Sequence, residues 1–242
     1  MSNASSQDSQ ARRNDADHGP LPGMLLTLTA VTGLVDAVSY LKLGHVFVAN
    51  ITGNIAFLGF AIADAKEFTI AISLIATAAF LVGAIAGGRL GFRAGRHRAR
   101  LLAIGIIVEV VIVGIALLAS IANPGLAGEY NHYELVILLG LAMGLQSAVS
   151  RKLGVPDLPT TVLTLTLAGL AADSSLAGGN NLRARRRLLA TGAVLLGAAA
   201  GAWLIFQLGV GAALAVAFAL LAVNSVLAYR HFNSTEQWTV GT

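Results

Sequence analysis

Two short polar stretches interrupt an otherwise apolar sequence. The first, GHVFVANITGN, covers residues 44–54 and carries a histidine, two asparagines, a threonine and two glycines. Valine and phenylalanine before Asn50 favour extended backbone. Asparagine and threonine are frequent at helix N-termini, where their side chains accept hydrogen bonds from unpaired amides. We therefore predict that the chain runs extended to Asn50, turns, and starts a half-helix at residues 52–54 that ends near Asp64.

The second stretch, VPDLPTTVLT, covers residues 155–164. Pro156 and Pro159 remove two backbone donors and disfavour helix there, and Thr160 or Thr161 can cap a half-helix over about 162–172. Each helix N-terminus carries about half a positive charge. Two such N-termini facing the bilayer centre from opposite sides would suit an anionic or polar solute. The alternative is that these residues only stabilise a structural break.

Polar residues of these stretches and of the apolar runs are the candidate site residues. The candidates for substrate binding are Asn50, Thr52, Gly53, Asn54, Thr160, Thr161, Thr164 and Gln146. The candidates for coupling or gating are Asp36, His45 and Glu109. An ionisable group inside a span is energetically expensive and is a functional candidate by default, and histidine titrates near neutral pH.

The roles of these ionisable residues stay open at this level. Asp36 could carry a proton, hold a cation, pair with His45 or Lys42, or make a structural hydrogen bond. Glu109 is either a buried carboxylate or a group that reaches the cytoplasmic interface near Arg98 and Arg100.

The composition is that of an integral membrane protein. Hydrophobic residues make up 56% of the 242 residues, charged residues 12%, and the mean hydropathy is +0.75, whereas soluble domains carry about 25% charged residues. The absence of cysteine excludes disulfides and thiol catalysis. The net charge of +4 lies in short loops, where it indicates membrane topology rather than nucleic-acid binding.

Loop charges favour one of two models for the number of apolar runs that cross the membrane. The runs cover about 24–43, 46–64, 68–91, 101–122, 133–150, 158–173, 188–208 and 210–230. If the two that contain polar stretches, 46–64 and 158–173, crossed fully, the basic clusters 89–100 and 183–187 would lie on opposite sides. If both re-enter, all basic clusters lie inside, as short basic loops usually do. We therefore predict six spans with both termini cytoplasmic, the first re-entrant run entering from outside and the second from inside.

An internal repeat supports this topology. GLVDAVS at 33–39 matches GLQSAVS at 144–150, and Asp64 and Asp173 end the two re-entrant runs. Each half would contain three crossings, so the halves would be inverted, as in many transporters; the alternative is a chance match in a simple sequence. The predicted fold is an all-α polytopic membrane protein with six full transmembrane helices, two broken or re-entrant half-helix segments and an inverted repeat. Its domains are a disordered tail 1–22, a transmembrane domain 23–231 (halves 24–122 and 133–230) and a C-terminal tail 232–242.

The run GLVDAVSYLKLGHVFVANITGN at 33–54 resembles the signature of the YoaK-like family of bacterial membrane proteins, a domain of unknown function (1275). The GLQSA and PDLPTTVLT stretches are similar to that family as well. The resemblance implies six spans and no established substrate.

These observations predict a small transporter or permease of the bacterial inner membrane that moves a small anionic or polar solute through a midplane site. The alternatives are a passive channel and a non-transporting scaffold or partner subunit.

No metal-binding helix, phosphate loop or nucleophile elbow is present in the sequence, so we expect neither an enzyme nor a cofactor. Expected partners are membrane lipids and the solute, with no nucleic acid. Small-xxx-small patterns such as Gly83-xxx-Gly87 pack helices inside the chain or, alternatively, in a homodimer.

Overall fold

The computed structural model describes residues 18–65, 67–94, 96–122, 133–155, 163–181 and 183–240. In these residues the chain forms eight α-helices. They are α1 (Leu21–Lys42), α2 (Ile51–Ile62), α3 (Ile70–Ala94), α4 (Arg98–Ala122), α5 (Tyr133–Leu153), α6 (Leu163–Ala172), α7 (Ala184–Leu208) and α8 (Val210–Arg230). Single 3-10 turns lie at Ser175–Ala177 and Gln237–Thr239. The predicted residues 1–22 of the N-terminal tail lie mostly outside the described part of the chain.

Six of these helices are long and apolar enough to cross a membrane: α1, α3, α4, α5, α7 and α8. Each has 21 to 25 residues, whereas a crossing needs about 20. The two others, α2 with 12 residues and α6 with 10, are shorter apolar helices. The predicted all-α fold with six helices of membrane-spanning length is confirmed, together with two shorter apolar helices. Helix α2 begins at Ile51, one residue before the predicted start.

Glycines set the closest helix contacts. A Cβ added to Gly144 of α5 would overlap the Phe80 carbonyl oxygen and would lie 2.8 Å from the carbonyl carbon. A Cβ on Gly83 of α3 would meet the Leu141 carbonyl in the same way, 2.8 Å from its carbon. The α3 and α5 backbones therefore touch along a parallel interface, which is the packing that small-xxx-small patterns permit.

The same contacts recur between α1 and α7. A Cβ on Gly33 would lie 2.9 Å from the Ala198 amide nitrogen, and a Cβ on Gly197 would lie 2.9 Å from the Ala30 carbonyl carbon. Gly144 follows Gly33 by 111 residues (144 − 33) and Gly197 follows Gly83 by 114 (197 − 83). Contacts of α4 with α5 correspond to those of α8 with α1, and contacts of α2 with α3 to those of α6 with α7. The two halves of the chain thus make equivalent helix contacts.

Arg98 identifies which helix ends lie together. Its guanidinium donates to the Leu153 carbonyl at the end of α5 (2.6 Å), to Trp238 O beyond α8 (3.4 Å), and lies 3.2 Å from His18 Nδ1 before α1. The starts of α1 and α4 and the ends of α5 and α8 therefore share one end of the bundle, which we call the basic end.

This arrangement determines where the half-helices begin and end. Helix α1 leaves the basic end, and α3 returns to it because only a short turn joins Ala94 to Arg98. The segment that contains α2 therefore starts and finishes at the opposite end. Helix α5 ends at the basic end, and α7 starts there because Gly209 alone joins α7 to α8. The segment that contains α6 therefore starts and finishes at the basic end.

The C-terminal segment, predicted from the sequence as a tail over 232–242, makes contacts with the helix bundle. Residues 232–240 fold back onto the basic end. The indole of Trp238 is buried against Gly19, whose added Cβ would lie 2.7 Å from the ring. His97 Nε2 lies 3.0 Å from Ser234 O, and Arg100 Nε donates to Phe232 O at 3.2 Å. These side-chain bonds to tail carbonyls hold the segment, and they could not be read from its polar composition.

Candidate functional site

The chain between α1 and α2 descends along α1 and is held there by Asp36. Its Oδ1 accepts hydrogen bonds from the amides of Val48 (3.1 Å) and Ala49 (2.9 Å). Asp36 lies six residues before Lys42, the last residue of α1, which corresponds to about 9 Å along the helix. The loop therefore dips well below the end of the bundle. Among the alternatives stated for Asp36, the structure shows structural hydrogen bonds. Their donors are loop amides, not His45 or Lys42.

Asn54 ties the same loop to the first turn of α2. Its Oδ1 accepts from Phe47 N (2.9 Å) and its Nδ2 donates to Phe47 O (2.6 Å), so the amide pairs with backbone as a neighbouring strand would. Asn54 is fully buried. Because both amide atoms are used, Asn54 positions the loop, although the sequence marked it as a ligand candidate.

The residues that open α2 are more accessible. Asn50 is the N-cap residue and Thr52 lies in the first turn, and both are exposed. The Asn50 side chain makes no capping bond, so it is available to a ligand. Gly53 is required by a close approach, because a Cβ there would lie 2.7 Å from the Phe47 ring.

A cluster of aromatic rings connects α2 with the loop before it and with the end of α1. Phe47 stacks on Tyr40 (centroids 4.9 Å apart) and on Phe57 (5.7 Å), and Phe57 stacks on Phe68 (4.7 Å). His45 is exposed, has a positive φ of 55°, and its ring lies edge-on to Tyr40 at 5.4 Å. His45 therefore lies at the rim of the cluster, not in the interior beside Asp36.

The counterpart in the second half is only partly described. Thr160 and Thr161 lie outside the described residues, and Thr164 of α6 is exposed. The C-terminal end of α6 is fixed by Arg187, which donates to Gly169 O and to Asp173 Oδ2 (2.7 Å). A cation at this place satisfies late helical carbonyls and complements the helix dipole. In the sequence, Arg187 is one of several arginines in the basic cluster 183–187. Nothing in that cluster indicates that Arg187 is buried.

The middle of the bundle contains polar residues from two central helices. Gln146 of α5 donates from Nε2 to Thr32 Oγ1 of α1 (2.8 Å), and both residues are buried. Thr32 precedes Asp36 by one helical turn on the same face of α1. Sequence reasoning missed Thr32, because a threonine in an apolar run is unremarkable. One face of α1 thus contacts both the descending loop and Gln146.

Glu109 lies in the interior of α4 and is 1% exposed. Glu109 is therefore a buried carboxylate and not a group that reaches the interface near Arg98 and Arg100. Arg98 and Arg100 bond backbone oxygens at the basic end and not this carboxylate.

Six long apolar helices in one bundle define a multi-pass membrane protein. The chain belongs to the family described as protein of unknown function (DUF1275), which matches residues 24–227. It is similar to the UPF0700 transmembrane protein YoaK of Bacillus subtilis (strain 168), with 36% identity over 151 residues. That match covers 62% of this chain and 65% of YoaK. No solved structure matches the chain. The family resemblance noted in the sequence is confirmed.

Proposed function

We propose that the protein is a small transporter or permease of a bacterial inner membrane. It moves a small anionic or polar solute through a site built from two inverted halves, each with one re-entrant segment. The observation that carries the proposal is the equivalence of the two halves in their glycine contacts. Inverted repeats with broken helices are a recurring design of secondary transporters, whose substrate sites lie between the repeats.

Charge supports the orientation that the proposal needs. Basic residues concentrate at the basic end: Arg93, Arg98, Arg100, Arg151, Lys152 and Arg230. Short basic segments face the cytoplasm. The basic end, and with it both termini, is then cytoplasmic. In that orientation the α2 segment enters from outside and the α6 segment from inside.

Labelling of single cysteines tests this orientation in a chain that contains no cysteine of its own. Cysteine replaces Asp64, Ser175 or Arg185, which are all exposed; Ser175 is preferred to Asp173 because Asp173 pairs with Arg187. We expect an impermeant maleimide to label Asp64→Cys in intact spheroplasts, and Ser175→Cys and Arg185→Cys only in inverted vesicles. The cysteine-free parent is the control. Labelling of Ser175→Cys from outside would contradict the re-entrant α6 segment.

The N-terminus of α2 is the part of the site that the solute would contact. The loop before it lies about 9 Å below the end of α1, and irregular backbone at that depth is tolerated where it is buried or lines a wet cavity. The positive end of the α2 dipole attracts anions and polar groups. Asn50 and Thr52 add side-chain donors and acceptors at the same place. The proposal requires neither catalysis nor a cofactor, and its partners are lipids and the solute.

Substitution of Asn50 by alanine tests this contact. Proteoliposomes are exposed to gradients of formate, nitrate, urea and glycerol, and solute entry is followed by light scattering. We expect at least one probe to enter faster than in empty liposomes. Asn50→Ala should slow that entry at least about tenfold, because a lost hydrogen bond to a charged solute costs ~1.5 kcal/mol or more. Folding should be unaffected, since the Asn50 side chain makes no capping bond.

Gln207→Ala is the matched control, an exposed polar residue near the end of α7. Equal entry in the Asn50→Ala and wild-type proteins would reject the site. Trans-acceleration in counterflow separates a transporter from a passive channel. Absence of entry for every probe would favour a non-transporting subunit.

A further inference from the structure

Three buried side-chain oxygens have no hydrogen-bond partner among the described residues: Glu109 Oε1, Gln146 Oε1 and Ser150 Oγ. They lie on the neighbouring helices α4 and α5. Buried polar atoms are nearly always paired, so each exception needs a physical explanation. The solute contact proposed at the N-terminus of α2 does not involve these three atoms.

The orientation of the Gln146 amide follows from its neighbour Thr32. The single hydroxyl hydrogen of Thr32 is donated to Leu28 O at 3.0 Å. Thr32 Oγ1 can therefore only accept from Gln146, which lies 2.8 Å away. The amide must turn its NH₂ group to Thr32 and its oxygen away. Gln146 thus presents an acceptor oxygen with no donor, inside a helix bundle.

Glu109 lies at the same level on the facing helix. A Cβ on Gly105 of α4 would lie 3.1 Å from Val149 of α5, which defines the level at which these antiparallel helices touch. Glu109 follows Gly105 by four residues, so it lies on the same face of α4. Gln146 precedes Val149 by three residues, so it lies on the matching face of α5. Two acceptor groups therefore face one level of the α4–α5 interface.

Charges that could compensate Glu109 lie elsewhere. Helix α4 packs against α3, α5, α8 and the C-terminal segment. Apart from Glu109, the charged residues of those elements and of α4 lie within two turns of a helix end or in the C-terminal segment: Arg89, Arg93, Arg98, Arg100, Glu134, Arg151, Lys152, Arg230 and Glu236. Among the described residues, Glu109 therefore has no cationic side chain at its own level. A carboxylate left there would face the Gln146 oxygen across a medium of low dielectric.

We propose that Glu109 binds a proton in the bundle interior, and that the resulting carboxylic acid donates its hydrogen to Gln146 Oε1. A hydronium ion gives one proton to the carboxylate and leaves as water, so that one O–H bond of hydronium breaks as the O–H bond of the acid forms. Loss of the proton places a negative charge beside a bare acceptor, which favours a rearrangement that exposes the carboxylate to water. The proton site stands on this geometry alone, while its role as the coupling ion rests on the proposed transport function.

Infrared spectroscopy of the purified protein tests the proton site directly. The wild type should show the C=O stretch of a protonated, hydrogen-bonded carboxylic acid. Glu109→Gln should lack that band, and Gln146→Leu should move it to higher frequency. Asp36→Asn is the control and should retain it. A band that persists in Glu109→Gln, or a wild type without one, overturns the inference.

Three further measurements keep the outcomes distinct. Should Glu109→Gln fail to fold, isotopic labelling of glutamate carboxyl carbons in the wild type assigns the band without a substitution. A melting temperature that rises with Na⁺ in the wild type but not in Glu109→Gln would show a metal cation at the site, and would also overturn the inference. In proteoliposomes, entry of the probe solute should change the pH of the lumen in the wild type. It should leave the lumen pH unchanged in Glu109→Gln. Absence of probe entry in wild-type proteoliposomes would reject the proposed transport function. It would not affect the infrared evidence for a protonated Glu109.

Discussion

Replacing Gly144 by alanine is expected to destabilise the protein by about 3 kcal/mol, the upper part of the usual range for overpacking a close interface. The added Cβ would lie 2.8 Å from the Phe80 carbonyl carbon and 2.9 Å from the Ala84 amide nitrogen. Both neighbours are helix backbone, which cannot turn aside as a flexible side chain can. Relief therefore requires α3 and α5 to separate along much of their interface.

Thermal stability in detergent, followed by size-exclusion chromatography, measures this effect. Gly88→Ala and Gly192→Ala are matched controls, because a Cβ at either position meets no heavy atom within 4 Å. Alanine is favoured over glycine in a helix by ~1 kcal/mol, so both controls should be as stable as the wild type or more so. A Gly144→Ala protein as stable as Gly88→Ala would contradict the close packing.

The second half of the chain offers an internal comparison. Gly33→Ala inserts a Cβ 2.9 Å from the Ala198 amide nitrogen, the equivalent of the Gly144 contact. If the repeat is structural, the two substitutions should cost similar free energies. A severe effect at Gly144 with none at Gly33 would show that the two halves are not equivalent in packing.

Span number and repeat were predictable because they depend on local or periodic properties of the sequence. A helix must supply its own backbone hydrogen bonds in lipid, so length and apolarity identify the six long helices. Clusters such as 89–100 and 183–187 then constrain how many runs cross. The shared GL…AVS pattern was detectable because equivalent helices need small residues at equivalent contacts, of which Gly33 and Gly144 are an instance.

Partners of the polar residues were not predictable, because they depend on which backbone atoms come together in three dimensions. Asp36 and Asn54 were candidates for coupling and binding, yet both hold the descending loop. Asn50 is the N-cap residue of α2, but its side chain makes no capping bond. Arg187 and Trp238 gave no signal in the sequence, since an arginine in a basic cluster and a tryptophan in a polar tail are normally exposed.

The structure therefore divides the candidate residues by the atoms that remain available. Asn50 and Thr52 are exposed at the start of α2, whereas the buried Gln146 amide oxygen is the acceptor proposed for the Glu109 proton. Asn54 has no unpaired amide group. Asn50 and Thr52 are therefore the positions where substitution should alter transport without altering the fold, and Asp36 is the position where fold and transport must be separated.

Replacing Asp36 by leucine is expected to release the loop before α2 and to destabilise the protein by ~3 kcal/mol. Leucine has a similar size but accepts no hydrogen bond, so the amides of Val48 and Ala49 lose their acceptor, and each unpaired buried donor costs ~1–3 kcal/mol. Asp36→Asn keeps an acceptor oxygen and loses only the charge, so it should cost about 1 kcal/mol. Hydrogen exchange of the peptide 44–54, read by mass spectrometry, should accelerate strongly in Asp36→Leu and weakly in Asp36→Asn.

Ser39→Ala is the control on the same helix, because the Ser39 hydroxyl bonds only the Asp36 carbonyl one turn before it. It should leave exchange in the loop unchanged. Exchange at the wild-type rate in Asp36→Leu would show that the two amides do not depend on this carboxylate. The asparagine variant then separates structure from coupling. If it folds normally and carries the probe solute at the wild-type rate, Asp36 is a positioning residue; if it folds normally and carries none, the negative charge itself is required for transport.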